Sequence, residues 1–117
     1  MGDSILQEQS YAFAVRIVRL SEYLNNEKRE YVLSKKVLDS GTAIGALIEE
    51  ARQGDGRVDF VQRIGLAAKE AFKTNYWIRL LRDTSFISES EADSILADCV
   101  SLQKMLVATR KTTKHES

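Results

Sequence analysis

The amino-acid sequence predicts an all-α fold, an antiparallel up-and-down four-helix bundle. Three observations support this prediction. The 117 residues include no proline, the residue that most strongly interrupts helices. Apolar residues recur at steps of three, four and seven along four segments, and the strict alternation typical of strands is missing. The breaks between segments are short, so consecutive helices should be antiparallel neighbours.

Each predicted helix carries one apolar stripe for a shared core. We expect helices at about 4–25, 27–53, 56–83 and 88–112, followed by a polar tail at 113–117. The four stripes consist of Leu6, Phe13, Ile17, Leu20 and Leu24; Leu33, Val37, Gly41, Ile44 and Ile48; Phe60, Ile64, Ala67, Ala71, Ile78 and Leu81; and Ile95, Cys99, Leu102 and Leu106. A chain of this length fits a single domain, 1–117.

Residues with turn and capping chemistry separate the four segments. Asn25 and Asn26 are expected to divide the first helix from the second, and residues 54–56, Gly-Asp-Gly, to end the second helix and cap the third. Ser88 and Glu91 have the spacing of a capping box, in which side chains bind the first free amides of a helix. These positions set the predicted helix ends.

The bulk composition argues against several classes of protein. Lys plus Arg and Asp plus Glu both total 17, so no net charge draws the chain toward nucleic acid or an anionic membrane. No apolar run approaches the roughly 20 residues that span a bilayer, and the first residues lack a signal-peptide pattern. The single cysteine, Cys99, cannot form an internal disulfide. We therefore expect a cytoplasmic protein that has no membrane partner.

Two predicted helices carry a second apolar stripe. On the first helix, Tyr11, Val15 and Val18 lie opposite the core stripe, and on the third, Phe72 and Tyr76 belong to a similar stripe. A wide face buried inside a small bundle is one explanation. An interface between subunits is the other, and we favour it for the first helix. These five residues are the candidate oligomer interface.

Gly41 and Gly45 form a pair of small residues one turn apart on the second helix. Glycine inside a helix costs about 1 kcal/mol relative to alanine, so the pair needs a structural reason. Close packing of a neighbouring helix is the explanation we favour. An approach of the backbone to a ligand is the alternative.

Few side chains suit metal binding or catalysis. Dinuclear metal bundles need Glu-x-x-His pairs on facing helices, whereas the one histidine, His115, lies in the polar tail. Cys99 sits on the core stripe without a histidine in the folded region to activate it. Arg110 and His115 match the Arg-x4-His spacing of a class of RNA-cleaving helical domains, which leaves a small RNase as a remote alternative. We otherwise expect no catalytic residues, no metal and no cofactor.

Basic residues provide a candidate nucleic-acid surface. Lys28 and Lys35 stand seven residues apart on the second predicted helix, with Arg29 and Lys36 beside them. The first helix adds two further basic residues. The candidate surface consists of Arg16, Arg19, Lys28, Arg29, Lys35 and Lys36. Acidic residues are interspersed among them, so a solvated charged face remains the alternative.

The middle of the chain resembles a known bacterial family. Residues 40–51 read SGTAIGALIEEA, residues 59–71 read DFVQRIGLAAKEA, and Tyr76-Trp77 follows. From about Tyr11 to about Arg110, the sequence is similar to four-helix-bundle proteins encoded in intervening sequences of 23S ribosomal RNA genes. That family includes the accessory variability proteins of diversity-generating retroelements, which work with a reverse transcriptase.

The resemblance implies a bundle that assembles into a ring-shaped homopentamer, has no catalytic residues and binds RNA, DNA or a protein such as a reverse transcriptase. This chain departs from the family at Leu47, where many members have Asn, and at residues 25–26, where many have Pro. It is also neutral, whereas the retroelement accessory proteins are basic. We therefore predict a non-catalytic oligomeric nucleic-acid-binding or accessory module, with a structural scaffold for another protein as the alternative.

Overall fold

The computed structural model describes the backbone of residues 2–115 and the side chains of residues 5–114. Over this range the chain forms four helices: α1 (Gly2–Lys28), α2 (Leu33–Gln53), α3 (Gly56–Asp83) and α4 (Glu89–His115). Each helix packs against the next along the chain, and α4 returns to pack more loosely against α1. Consequently α1 and α3 are diagonal to each other. The predicted antiparallel four-helix bundle is confirmed.

One hydrophobic core runs along the bundle axis. Ile17, Ile44, Ile64 and Ile95, one from each helix, are at most 1 % exposed. Of the predicted stripe residues, all are buried apart from Leu33 and Phe60, which pack partly exposed against the core. Full burial of an aliphatic side chain contributes roughly 1.5–3 kcal/mol, so these stripes supply most of the driving force for folding.

The connection between α1 and α2 differs from the prediction. Asn25 and Asn26 lie inside α1, which continues to Lys28, and the chain turns at Arg29, where φ is 52°. The expected helix start at residue 27 is wrong. Asn25 is accommodated because its side-chain oxygen accepts a hydrogen bond of 2.8 Å from the Ser34 hydroxyl of α2. An arginine in the left-handed region is uncommon, so the sequence pattern favoured the asparagines instead.

Glu30 caps the start of α2 from outside the helix. Its carboxylate accepts hydrogen bonds from the amides of Val32, Leu33 and Ser34 at 3.3, 3.0 and 2.8 Å. The first turn of α2 itself contains no acidic residue. The Glu30 charge therefore satisfies free amides and lies at the positive end of the helix dipole.

The other helix ends follow the predicted chemistry in part. The Ser88 hydroxyl accepts a hydrogen bond of 3.1 Å from the Glu91 amide at the start of α4. Asp55 precedes α3 but makes no capping hydrogen bond, and the turn depends instead on Gly56, where φ is +85°. α4 extends past the expected end at residue 112, so residues 113–115 of the predicted tail are helical, while 116–117 lie outside the described residues.

No helix in the described range has both the length and the hydropathy needed to cross a membrane.

Candidate interaction surfaces

Arg16 and Arg19 of the candidate basic surface lie beside α4, and both have acidic partners. The Arg16 guanidinium donates hydrogen bonds to Asp98 at 2.9 Å and to the Ser94 hydroxyl at 2.6 Å. Arg19 donates to Glu22 at 3.1 Å. Arg16 therefore joins α1 to α4, the most loosely packed pair of neighbouring helices.

The other four candidate cations gather at one end of the bundle. Lys28 ends α1, Arg29 lies in the connection, and Lys35 and Lys36 lie in the first turn of α2. The expected seven-residue repeat on a single helix is therefore wrong. Among the described side chains, Lys28, Arg29 and Lys35 have no acidic partner within 4.0 Å. Lys36 Nζ lies 5.5 Å from the centroid of the Trp77 ring.

All five candidate interface residues are exposed in the single chain. Tyr11, Val15 and Val18 are 72 %, 44 % and 40 % exposed on the side of α1 that faces away from the core. On α3, Phe72 and Tyr76 are 52 % and 51 % exposed, so the bundle does not bury them. We call the three α1 residues the α1 stripe.

Gly41 allows α1 to approach α2 closely. A Cβ atom built on Gly41 would lie 2.8 Å from two side-chain atoms of Ile17, closer than carbon atoms pack. A Cβ atom built on Gly45 would lie 3.5 Å from the backbone oxygen of Ser10, an ordinary contact. The two glycines therefore differ, and Gly41 is the one that the packing requires.

The single thiol is inert in the folded chain. Cys99 is fully buried, and its Sγ–H donates to the Ala71 carbonyl oxygen at 3.3 Å. Burial, aided by the negative charge of Asp98, raises the pKa of Cys99 to about 12. The thiolate needed for nucleophilic chemistry is therefore suppressed at neutral pH.

A groove lies between α3 and α4, and it was not predicted from the sequence. Its volume is about 550 Å³, and its lining includes the apolar residues Ala68, Phe72 and Val107, which we call its floor, and the basic residues Lys69, Arg110 and Lys111, which we call its rim. These three cations have no acidic partner within 4.0 Å among the described side chains. We call this feature the α3–α4 groove.

Gly65 shapes the end of the α3–α4 groove. A Cβ atom built on Gly65 would lie 2.9 Å from Arg110 Nε, so the absence of a side chain lets the arginine lie across α3. Gly65 and Ala68, two small residues one turn apart in sequence, were the signal that could have located this hollow.

The family model of the 23S rRNA-intervening sequence proteins matches residues 2–108. The chain belongs to this family. A solved structure from Bacteroides thetaiotaomicron, described as a protein with unknown function from the S23 ribosomal protein family, is 43 % identical. The match covers 95 % of this chain and 99 % of that chain, with a TM-score of 0.93. No curated protein matches the sequence.

In this 23S rRNA-intervening sequence protein, the segments that carry the family resemblance form the α2–α3 pair. Ser40 and Gly41 face different neighbours. Gly41 contacts α1, while the Ser40 hydroxyl accepts a buried hydrogen bond of 2.9 Å from Thr74 on α3. These adjacent residues therefore fix the heights of α1 and α3 against α2, although sequence analysis had placed neither Ser40 nor Thr74 in the core.

Proposed function

We propose that this protein is a non-catalytic bundle that associates with copies of itself and acts as a binding module. The α1 stripe carries the proposal. Single exposed apolar residues are ordinary on protein surfaces, but three that share a helix face opposite the core are typical of an interface. The inert environment of Cys99 supports a non-catalytic role.

A charge placed in the α1 stripe tests self-association. We expect Val15→Glu or Val18→Glu to lower the native mass to that of the monomer, because a carboxylate would be desolvated in the interface. The helical circular dichroism should stay unchanged, since both side chains point away from the core. Gln9→Glu, which adds the same charge at an exposed position of α1 outside the stripe, is the matched control.

An unaltered native mass in both stripe variants would reject the α1 stripe as an interface. The ring of five copies implied by the family resemblance is the assembly that we propose, and mass measurement of the wild-type protein tests that number directly.

Nucleic-acid binding is the second candidate function, and the cations at the end of the bundle favour it. Lys28, Arg29 and Lys35 are exposed and have no acidic partner in the described range, and the nearby Glu30 carboxylate is engaged by the α2 amides. A symmetric assembly would repeat this cluster in every subunit. RNA or DNA would then contact several copies through its phosphates.

Binding of labelled structured RNA and duplex DNA at several salt concentrations tests this second function. Charge reversal at Lys35, alone and with Lys36, should weaken binding for all sequences and reduce the salt slope by about one for each lost phosphate contact. Lys104→Glu, at an exposed site on α4, is the control. Equal affinity in the Lys35 variant and the control would remove these residues from the proposal.

An accessory role beside a reverse transcriptase is the narrower form of this proposal. Only the family resemblance supports it. Binding of the purified protein to a reverse transcriptase encoded beside it, and the loss of that binding with the Lys35 variants, would be the corresponding test.

A further inference from the structure

We infer that the α3–α4 groove receives the α1 stripe of a second copy of this chain. The inference rests on the proposed self-association and names the surface that the α1 stripe contacts. Three observations carry it: matching chemistry, opposite unpaired charges, and equal heights along the bundle.

The two surfaces are complementary in shape and polarity. The α1 stripe projects Tyr11, Val15 and Val18 from one helix, and the α3–α4 groove is a hollow between two helices with an apolar floor. A helix that lies in such a groove packs its apolar side chains against the floor and buries them. The α1 stripe therefore offers apolar side chains of the kind that the α3–α4 groove would bury.

The charges beside the two surfaces are opposite in sign. Glu8 lies one turn before Tyr11 on the same side of α1 and is exposed, with no cationic partner among the described residues. Arg110 and Lys111 on the groove rim lack acidic partners. A contact between copies would pair the negative Glu8 with the positive groove rim. This pairing favours a second copy over an occupant that brings no negative charge to the rim.

Contacts through α2 show that the surfaces lie at equal heights. Gly41 contacts Ile17 on one side, while the adjacent Ser40 binds Thr74 on the other, so Ile17 and Thr74 are level. Similarly, Glu49 is hydrogen-bonded to Gln7, and the adjacent Glu50 pairs with Arg63. α1 and α3 run in the same direction, so the residues between these two levels correspond in order.

Counting from the Ile17–Thr74 level aligns the two surfaces pair by pair, and counting from Gln7 and Arg63 shifts the pairs by one residue, about 1.5 Å along a helix. The four level pairs are Glu8 with Gly65, Tyr11 with Ala68, Val15 with Phe72, and Val18 with Asn75. Because Arg110 lies across Gly65, Glu8 of a neighbouring copy at the same height meets the basic rim. A parallel neighbour that forms these four pairs would make a heterologous contact without axial shift, so successive copies would rotate about an axis parallel to the helices and could close into a ring.

Mixing two interface variants tests the contact. Val15→Glu damages the α1 stripe and keeps the α3–α4 groove, whereas Phe72→Glu damages the groove and keeps the stripe. Each variant alone should lose at least about tenfold in association constant. An equimolar mixture should form a dimer of one copy of each variant, because one undamaged stripe can bind one undamaged groove. Native mass spectrometry reads all three samples, and circular dichroism checks that each variant is folded.

Exchanging the charges of one proposed ion pair provides a second measurement. It does not place a charge among the apolar side chains of the contact. Glu8→Lys and Arg110→Glu should each weaken association, and the double variant should recover most of the loss. Both residues are exposed, so neither change should disturb the fold.

The outcomes separate this inference from the proposed function. A monomeric wild-type protein would reject self-association itself. If the wild type is oligomeric and Val15→Glu dissociates it, but Phe72→Glu keeps the native mass or the mixture stays monomeric, self-association stands and the groove is not the partner surface. If Phe72→Glu keeps the native mass but loses binding of a labelled single-stranded RNA, the groove binds nucleic acid and the inference is overturned.

Discussion

Gly41 and Gly45 stand one turn apart on α2, yet they face different surroundings. Ile17, which contacts Gly41, is fully buried and branched at Cβ, so it has few alternative rotamers. Gly45 faces the Ser10 backbone at an ordinary distance. From the sequence, Gly41 and Gly45 were predicted to have the same packing role. The spacing of residues shows which of them share a helix face, but it does not show which atoms lie opposite each residue.

The glycine pair leads to a prediction of opposite effects. Gly41→Ala should lower the free energy of unfolding by about 1–3 kcal/mol, since the added methyl group overpacks the contact with Ile17. Gly45→Ala should raise it by up to about 1 kcal/mol through helix propensity. Denaturant unfolding of both variants at one protein concentration measures the difference. Equal effects of the same sign would contradict the assigned contact.

At the scale of the helices, the ends were harder to predict than the stripes. Core stripes depend on a periodicity repeated over six or seven turns, so one unusual residue does not alter them. The α1–α2 connection depends on single residues: an arginine in the left-handed region and a glutamate that binds amides two to four positions later. Neither has a distinctive sequence signature, and the misplaced connection also misplaced Lys28 and Arg29 on α2.

Glu30 provides a test of how α2 is capped. Glu30→Ala removes three hydrogen bonds and a negative charge from the positive end of α2, so we expect it to lower the free energy of unfolding by about 1 kcal/mol. Glu27→Ala, an exposed change near the end of α1, is the control and should have little effect. Thermal unfolding followed by circular dichroism distinguishes them. Equal stability of the two variants would show that water replaces the carboxylate without cost.

At the scale of the molecule, sequence predicted the individual surfaces but not their relation. The α1 stripe was visible as a helical face because its three residues belong to one element. The α3–α4 groove combines residues from two helices that are separated by about 40 positions, so only the packing of α3 on α4 brings Phe72 beside Val107. Likewise, the equal heights of the stripe and the groove follow from the contacts of Gly41 with Ile17 and of Ser40 with Thr74. The spacing of residues in the sequence does not determine these contacts.

Self-association also predicts how stability depends on concentration. If neighbouring copies cover the α1 stripe, association stabilises the folded state by mass action, so the Tm of the wild-type protein should rise over about a hundredfold increase in concentration. The Val15→Glu variant should unfold at one temperature throughout, and at low concentration the two proteins should converge because both are then monomers. A wild-type Tm that stays constant over this range, together with a monomeric native mass, would mean that copies of this chain do not cover the α1 stripe.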